Sequence, residues 1–390
     1  MDWHIQAGRI LADQKLATRD LSVTNGLLTE APARNVSVID ASGLLVLPGI
    51  VDIHGDSFER QIMPRPGVHF DIALALRDTD RQLVANGITT AFHGITVSWE
   101  PGLRSVQAAE ELISVLVGIR DNLACDTRVH LRWETFALDQ MATVMKWLAL
   151  TPRPILAFND HTTGSVLKGT IARKIGQMAE RSGLNRTDYM SLLDQVWSRR
   201  DEVPMAIEAL ASAARANGNV LLAHDEASPE DRVYFRALGA RASEFPLTVE
   251  TAKVARQKSE DVILGAPNVV RGGSHNGALN AAEAIKAGLC TVLTSDYHYP
   301  SPLHAAFKLS SPGGSDLPLI WDLVSANPAR AAGLNDRGSL KAGRRADLIL
   351  VNAEDPAHPH VVATMVKGEI VYSSRLLRVR SAIGVSIAAE

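Results

Sequence analysis

Two potential metal ligands stand one residue apart in the run LVLPGIVDIHGD, residues 45–56: His54 and Asp56. In an extended strand, side chains at i and i+2 leave the same face, so both can reach one ion from a rigid backbone. Such a pair is common by chance. Its weight comes from acids and histidines at the ends of later strand-like runs: Glu134 closing RVHLRWE, His161 after PILAFND, His224 closing NVLLAH and Asp296 closing TVLTSD. Nitrogen and oxygen donors without cysteine suit Zn²⁺, Mn²⁺ or Fe²⁺. The set is too large for one tetrahedral ion, and two ions bridged by Glu134 and a hydroxide would use all of it. A bound divalent cation lowers the pKa of its water to about 7, which makes a nucleophile at neutral pH. Asp296 is then placed to move the proton as a general base. It would equally suit a helix N-cap, while Asp160 and Asp225, each beside a histidine, suit orienting partners or caps. His93 ends a strand-like run with no acid beside it, and His4, His358 and His360 fall in the terminal segments.

A second signal concerns anions. The loop RGGSHNGAL, residues 271–279, follows the seventh strand-like run and precedes a helical pattern. Gly272 and Gly273 let backbone N–H groups come close to a phosphate, and the helix start adds positive potential. Arg271 offers a bidentate fork, with Ser274 and His275 as further donors. Arg65 sits between two prolines in MPRPGVHF, and Lys168 lies just past HTTGSV. The glycines would also serve a plain tight turn, and the GK[ST] ending of a P-loop is absent.

Strands must present these residues, and the chain has the runs to do it. Apolar, β-branched segments at 45–53, 87–96, 128–136, 154–160, 219–226, 242–247, 261–268 and 291–296 alternate with helical patterns such as GLRSVQAAEELISVLVGIRDNL. Eight such alternations predict a distorted (β/α)₈ barrel, whose chemistry gathers at the C-terminal ends of the strands. A doubly wound open sheet is the other arrangement of the same pattern, but no dinucleotide-type glycine fingerprint follows any strand. Residues 165–217 read as a helical excursion over the barrel mouth. Short strands and turns at both ends, including the Asn25-Gly26 turn, predict a small β-sandwich from residues 1–47 plus 343–390, leaving 48–342 as the barrel.

Bulk properties bound the function classes. The chain has 390 residues, a formal net charge of −3 and 46% hydrophobic residues. Nothing in that balance advertises nucleic acid or an anionic membrane. The two cysteines, Cys125 and Cys290, make no disulfide framework. The N-terminus lacks a signal-peptide pattern, and no apolar run nears the ~20 residues of a membrane span. A cytoplasmic protein acting on a small molecule, with or without homo-oligomerisation, is the expectation.

The longer phrases add a resemblance. LPGIVDIHGD, MPRPGV, NGITT, LRWE, DHTTG, AHDEAS, SEFPLTVETA, GAPNVVRGGSHNGAL, SDY, NPARAAGL and GRRADLILV run from about residue 45 to 350. Together they resemble the amidohydrolase superfamily, and within it the alpha-D-ribose 1-methylphosphonate 5-triphosphate diphosphatases of the carbon–phosphorus lyase pathway. The resemblance implies a distorted barrel with a small β-sandwich, a metal centre, and hydrolysis of a sugar triphosphate to a monophosphate and pyrophosphate. It also implies metal positions at His54, Asp56, Glu134, His161, His224 and Asp296. The superfamily's His-x-His is His-x-Asp here, as in this subgroup, and HGDS stands where the subgroup carries HTDN. Two other activities fit the ligand pattern: amide or cyclic-amidine hydrolysis on the same barrel, and a catalytically silent scaffold.

Overall fold

The computed structural model describes residues 2–33, 36–65, 67–167, 171–273, 279–310 and 316–380. Strands β1 (Trp3–Ala12), β2 (Lys15–Thr24), β3 (Leu27–Thr29), β4 (Ser37–Asp40) and β5 (Leu45–Pro48) come first. The barrel strands follow: β6 (Ile50–Gly55), β7 (Ile88–Val97), β8 (Asp126–Glu134), β9 (Ile155–Asn159), β10 (Leu221–His224), β11 (Ala242–Glu244), β12 (Asp261–Gly265) and β13 (Val292–Thr294). The chain ends with β14 (Leu348–Asn352), β15 (His360–Val366), β16 (Glu369–Ser373) and β17 (Arg378–Arg380).

β6 to β13 pair in chain order as one eight-stranded parallel sheet. A parallel bridge between Gly55 and Asp296 brings its two edges together. This is the (β/α)₈ barrel that the alternation of runs predicts. The other nine strands form a second, mostly antiparallel sheet in which β14 pairs with β5, so both ends of the chain build it. The apolar run 45–53, expected as one strand, is divided at Gly49. Before it, β5 pairs with β14; after it, the Ile50 N–H donates to the Gly87 carbonyl at 3.0 Å and β6 takes up β7. The excursion over 165–217 is helical, with helices Ile171–Ser182, Arg186–Ser198 and Val203–Asn217.

The period of two in each strand sorts the barrel into an apolar base and a polar mouth. Val51, Ile53, Phe92, Ile155, Ala157, Leu222, Ala242, Ile263 and Val292 pack into one buried cluster. Two residues further along β9, β10 and β11, the same face carries Asn159, His224 and Glu244. The apolar layer holds the strands, and the next layer presents the chemistry.

Trp321 lies in the apolar cluster that residues of both sheets share. It is fully buried, packs edge-on against Phe307 at 6.3 Å, and its indole N–H donates to the Pro48 carbonyl at 3.0 Å. Trp321→Ala leaves a large cavity and an unpaired carbonyl, and is expected to cost about 3–5 kcal/mol of stability. A urea titration followed by far-UV circular dichroism measures this, and an unchanged midpoint would show that the contact carries little.

Candidate metal centre

His54 leaves the end of β6 almost fully buried. Its Nδ1 lies 2.8 Å from Oε1 of Glu244, which ends β11 and is itself fully buried. Burial first, then the charge of Arg132, holds the imidazole well below its ordinary pKa. The ring is therefore neutral. Glu244 accepts only from a protonated Nδ1, so the lone pair is left on Nε2. A carboxylate that fixes the tautomer and aim of a histidine in this way is the usual support of a metal ligand.

Asp56 and Asp296 meet His54 where the barrel closes. The Asp296 N–H donates to the His54 carbonyl and the Asp56 N–H to the Asp296 carbonyl, each at 2.9 Å. Below them Asp52 accepts from the backbone N–H of Ser295 at 2.9 Å and from its hydroxyl. Gly55 belongs to this stitch. A Cβ there would stand 2.8 Å from Asp52 Oδ2 and 2.9 Å from Ser295 Oγ, which gives the glycine of HGDS a physical reason. Donor atoms of His54, Asp56 and Asp296 lie within 4.8 Å of one another. One nitrogen and two carboxylate oxygens fit a divalent first-row ion. Burial, then the charge of Asp56, pushes the Asp296 carboxyl up to about 7.

A second trio, His161, His224 and Asp225, also has donors within 4.8 Å of one another. Asp225 Oδ2 lies 3.0 Å from His161 Nε2 and 3.3 Å from His224 Nδ1. Burial opposes the charge on Asp225, but the neighbouring His224 and His161 hold its carboxyl well below the usual range. Burial likewise opposes the charge on His161, yet hydrogen bonds to Asp225 and Glu134 push it up to about 9. Asp225, Phe245 and Asp296 have φ of 57°, 53° and 53°. These left-handed residues follow the ends of β10, β11 and β13 and turn the chain sharply at the mouth, a strain that side chains other than glycine rarely bear.

The structure does not bring Glu134 into either trio. Its Oε1 accepts from the backbone N–H groups of His161 and Thr162, at 3.0 and 3.2 Å, and from the Thr162 hydroxyl at 3.0 Å. Its Oε2 faces His161 Nδ1 at 3.1 Å. A buried carboxylate beside the first turn of His161–Leu167 is drawn to the free N–H groups there. Asp160 likewise accepts from the Thr163 N–H at 2.8 Å. His93 packs 4.9 Å from the Phe58 ring, and burial lowers its pKa to about 4.

At the rim, Arg271 donates to the Tyr297 hydroxyl at 3.3 Å, and the Arg60 guanidinium stands 5.8 Å from the centre of the same ring. Gly272 and Gly273 both take left-handed φ, 85° and 154°. Arg65 is exposed in a turn bridged to Val68, with no ion pair among the described residues. Lys168, Ser274 and His275 lie outside the described residues.

Three mouth residues escape a reading by strand ends alone: His130, Arg132 and Glu244. His130 is fully buried with Nδ1 2.9 Å from the Ile53 carbonyl, and its Nε2 faces Glu244 Oε2 at 3.6 Å. Arg132 donates to Asp56 Oδ2 at 3.2 Å. The signal for the first two was the alternation Asp126, Arg128, His130, Arg132, Glu134, five polar side chains on one face of the strand. Glu244 was a lone acid inside SEFP.

The amidohydrolase family model matches residues 193–372. The chain is 29% identical over 388 residues to the alpha-D-ribose 1-methylphosphonate 5-triphosphate diphosphatase of Escherichia coli (strain K12), across 93% of this chain and 98% of that one. It is 25% identical over 356 residues to an adenine deaminase of Lactiplantibacillus plantarum, across 89% of this chain and 54% of that one. Among solved structures, dihydropyrimidinase from Brevibacillus agri matches with a TM-score of 0.62 at 14% identity, across 96% of this chain and 95% of that one. An amidohydrolase from a Sargasso Sea environmental sample matches with a TM-score of 0.62 at 14% identity, across 96% and 93%. At these identities the structural matches speak to the fold. Among the described residues, no helix is long and apolar enough to cross a membrane.

Proposed function

We propose that this chain, a member of the amidohydrolase superfamily, is a cytoplasmic metal-dependent diphosphatase. On this reading it hydrolyses a ribose 5-triphosphate to the 5-phosphate and pyrophosphate, in phosphonate catabolism. One observation carries the reading. The trio His54, Asp56 and Asp296 adjoins a cationic rim, because Arg271 and Arg60 both reach Tyr297, the residue after Asp296. Guanidinium groups match phosphate oxygens in charge and geometry, and a neutral amide has no use for two of them at the mouth. The name of the Escherichia coli relative supports the same substrate class.

His54, Asp56 and Asp296 would hold the ion. When bound, it supplies a water of lowered pKa and positive charge for the phosphoryl oxygens. Glu244 keeps the His54 ring aimed, and Phe245 covers the rings of His54 and His224 at 5.0 and 5.2 Å, which limits stray water. Asp296 takes the proton of the attacking water on its carboxylate. Arg271 and Arg60 hold phosphate oxygens and align the anhydride.

The direct test is release of pyrophosphate from the ribosyl triphosphate by chain loaded with Mn²⁺ or Zn²⁺. Arg271→Ala is expected to raise KM about 10-fold, the cost of one charge-assisted hydrogen bond, with kcat little changed. A second reading, amide or cyclic-amidine hydrolysis, draws on the adenine deaminase relative. The same activated water can attack carbon. No pyrophosphate together with turnover of an adenine or a cyclic amide would favour it.

A further inference from the structure

Arg132 stands in the way of the two ions that the ligand count suggests. It is 5% exposed, on the inward face of β8 between His130 and Glu134. One guanidinium nitrogen donates to Asp56 Oδ2 at 3.2 Å; the other faces His224 Nε2 at 3.3 Å. The first trio and the second are thus joined through an arginine. Its seat is built for it. Gly94 on β7 is paired with His130, and a Cβ there would stand 3.1 Å from Arg132 Cδ. A glycine inside a strand often marks such a close approach.

The hydrogen count decides what this means for His224. Arginine has donors only, so His224 Nε2 must accept. A neutral imidazole has one lone pair and one N–H, so Nδ1 carries the hydrogen, with Asp225 Oδ2 3.3 Å away. With Arg132 in place His224 has no lone pair left for an ion. His161 is similarly engaged, with a carboxylate oxygen facing each ring nitrogen, at 3.1 Å for Glu134 and 3.0 Å for Asp225. His54 is different: among the described residues only its Nδ1 has a side-chain hydrogen bond, to Glu244.

We infer that the Arg132 guanidinium takes the place of a second metal ion, and that the centre holds one divalent ion on His54, Asp56 and Asp296. Guanidinium is charged at every working pH and weakly hydrated, so it can occupy a buried cation position permanently. Glu134, His161 and Asp225 then form a hydrogen-bonded chain beside it, with His224 held by Arg132. The inference rests on the metal-hydrolase reading and refines it from two ions to one.

The full chain, saturated with Mn²⁺ and freed of excess ion by gel filtration, tests this through metal content and electron paramagnetic resonance. One Mn²⁺ per chain with the spectrum of isolated ions is the expected result. Two per chain with an exchange-coupled spectrum overturns the inference and leaves the hydrolase reading standing. A chain that retains neither Mn²⁺ nor Zn²⁺ removes both. Arg132→Ala is expected to double the bound metal, whereas Arg132→Lys keeps it at one. A folded Arg132→Ala chain that still holds one ion also counts against Arg132. If that variant does not fold, the measurements on the unmodified chain decide.

Discussion

Asp296→Asn is expected to lower kcat of the metal-loaded chain by about 10²- to 10⁴-fold, the range for removal of a general base. Asparagine has the shape of aspartate, and the backbone bonds of Asp296 to His54 and Asp56 do not involve its side chain, so the barrel stays closed. What is lost is a carboxylate that serves both as base and as one of the three ligands of the ion, so the bound metal of the variant is measured beside its rate. Burial, then the neighbouring Asp56, brings the Asp296 carboxyl up to about 7. Only the ionised form accepts a proton, so activity is present above that value and falls as pH drops through it. A cation bound beside the carboxylate favours ionisation, so the fall in the loaded enzyme comes at or below pH 7. Steady-state rates across pH check both parts. A variant within a few-fold of the parent, or one that keeps the same acid limb, would take Asp296 out of the proton transfer.

Glu244→Ala is expected to weaken divalent-metal binding by about 10- to 100-fold, and Glu244→Gln by less. The carboxylate touches no ion in the proposed centre. It acts on His54, whose Nδ1–H it accepts at 2.8 Å with both groups buried. Alanine leaves that N–H without a partner and the ring free to turn. Glutamine can still accept through its carbonyl but brings no charge. Calorimetric titration with Zn²⁺ or Mn²⁺ gives the order directly, and urea unfolding of the metal-free variants separates weaker binding from a weaker fold. Equal affinities in all three chains would mean that His54 needs no such support.

Much of the architecture is legible in the sequence. Each of the eight barrel strands overlaps an expected run, and five lie wholly within one, because strands buried on both faces produce dense apolar segments that turn residues interrupt. The helical stretch between 165 and 217 followed from its polar, arginine-rich composition. The expected boundary after residue 47 falls beside Gly49, yet 45–53 reads as one strand, since both halves are equally apolar and only their partners differ, β14 for one and β7 for the other.

The site divides along the same line. The donor inventory is local: His54, Asp56, His224 and Asp296 stand out because a polar group ending an apolar strand must face a mouth. Which donors meet was decided by the tertiary structure. Left-handed turns at Asp225 and Asp296, the stitch around Gly55, and the pull of a helix start on Glu134 are all set by elements distant in the chain. The same holds for Glu244 and Arg132. Each looks ordinary among its neighbours in sequence, and each gains its role from a partner brought across the barrel, His54 for one and Asp56 with His224 for the other. Periodicity dictates the face a side chain leaves from; closure of the barrel dictates what it finds there.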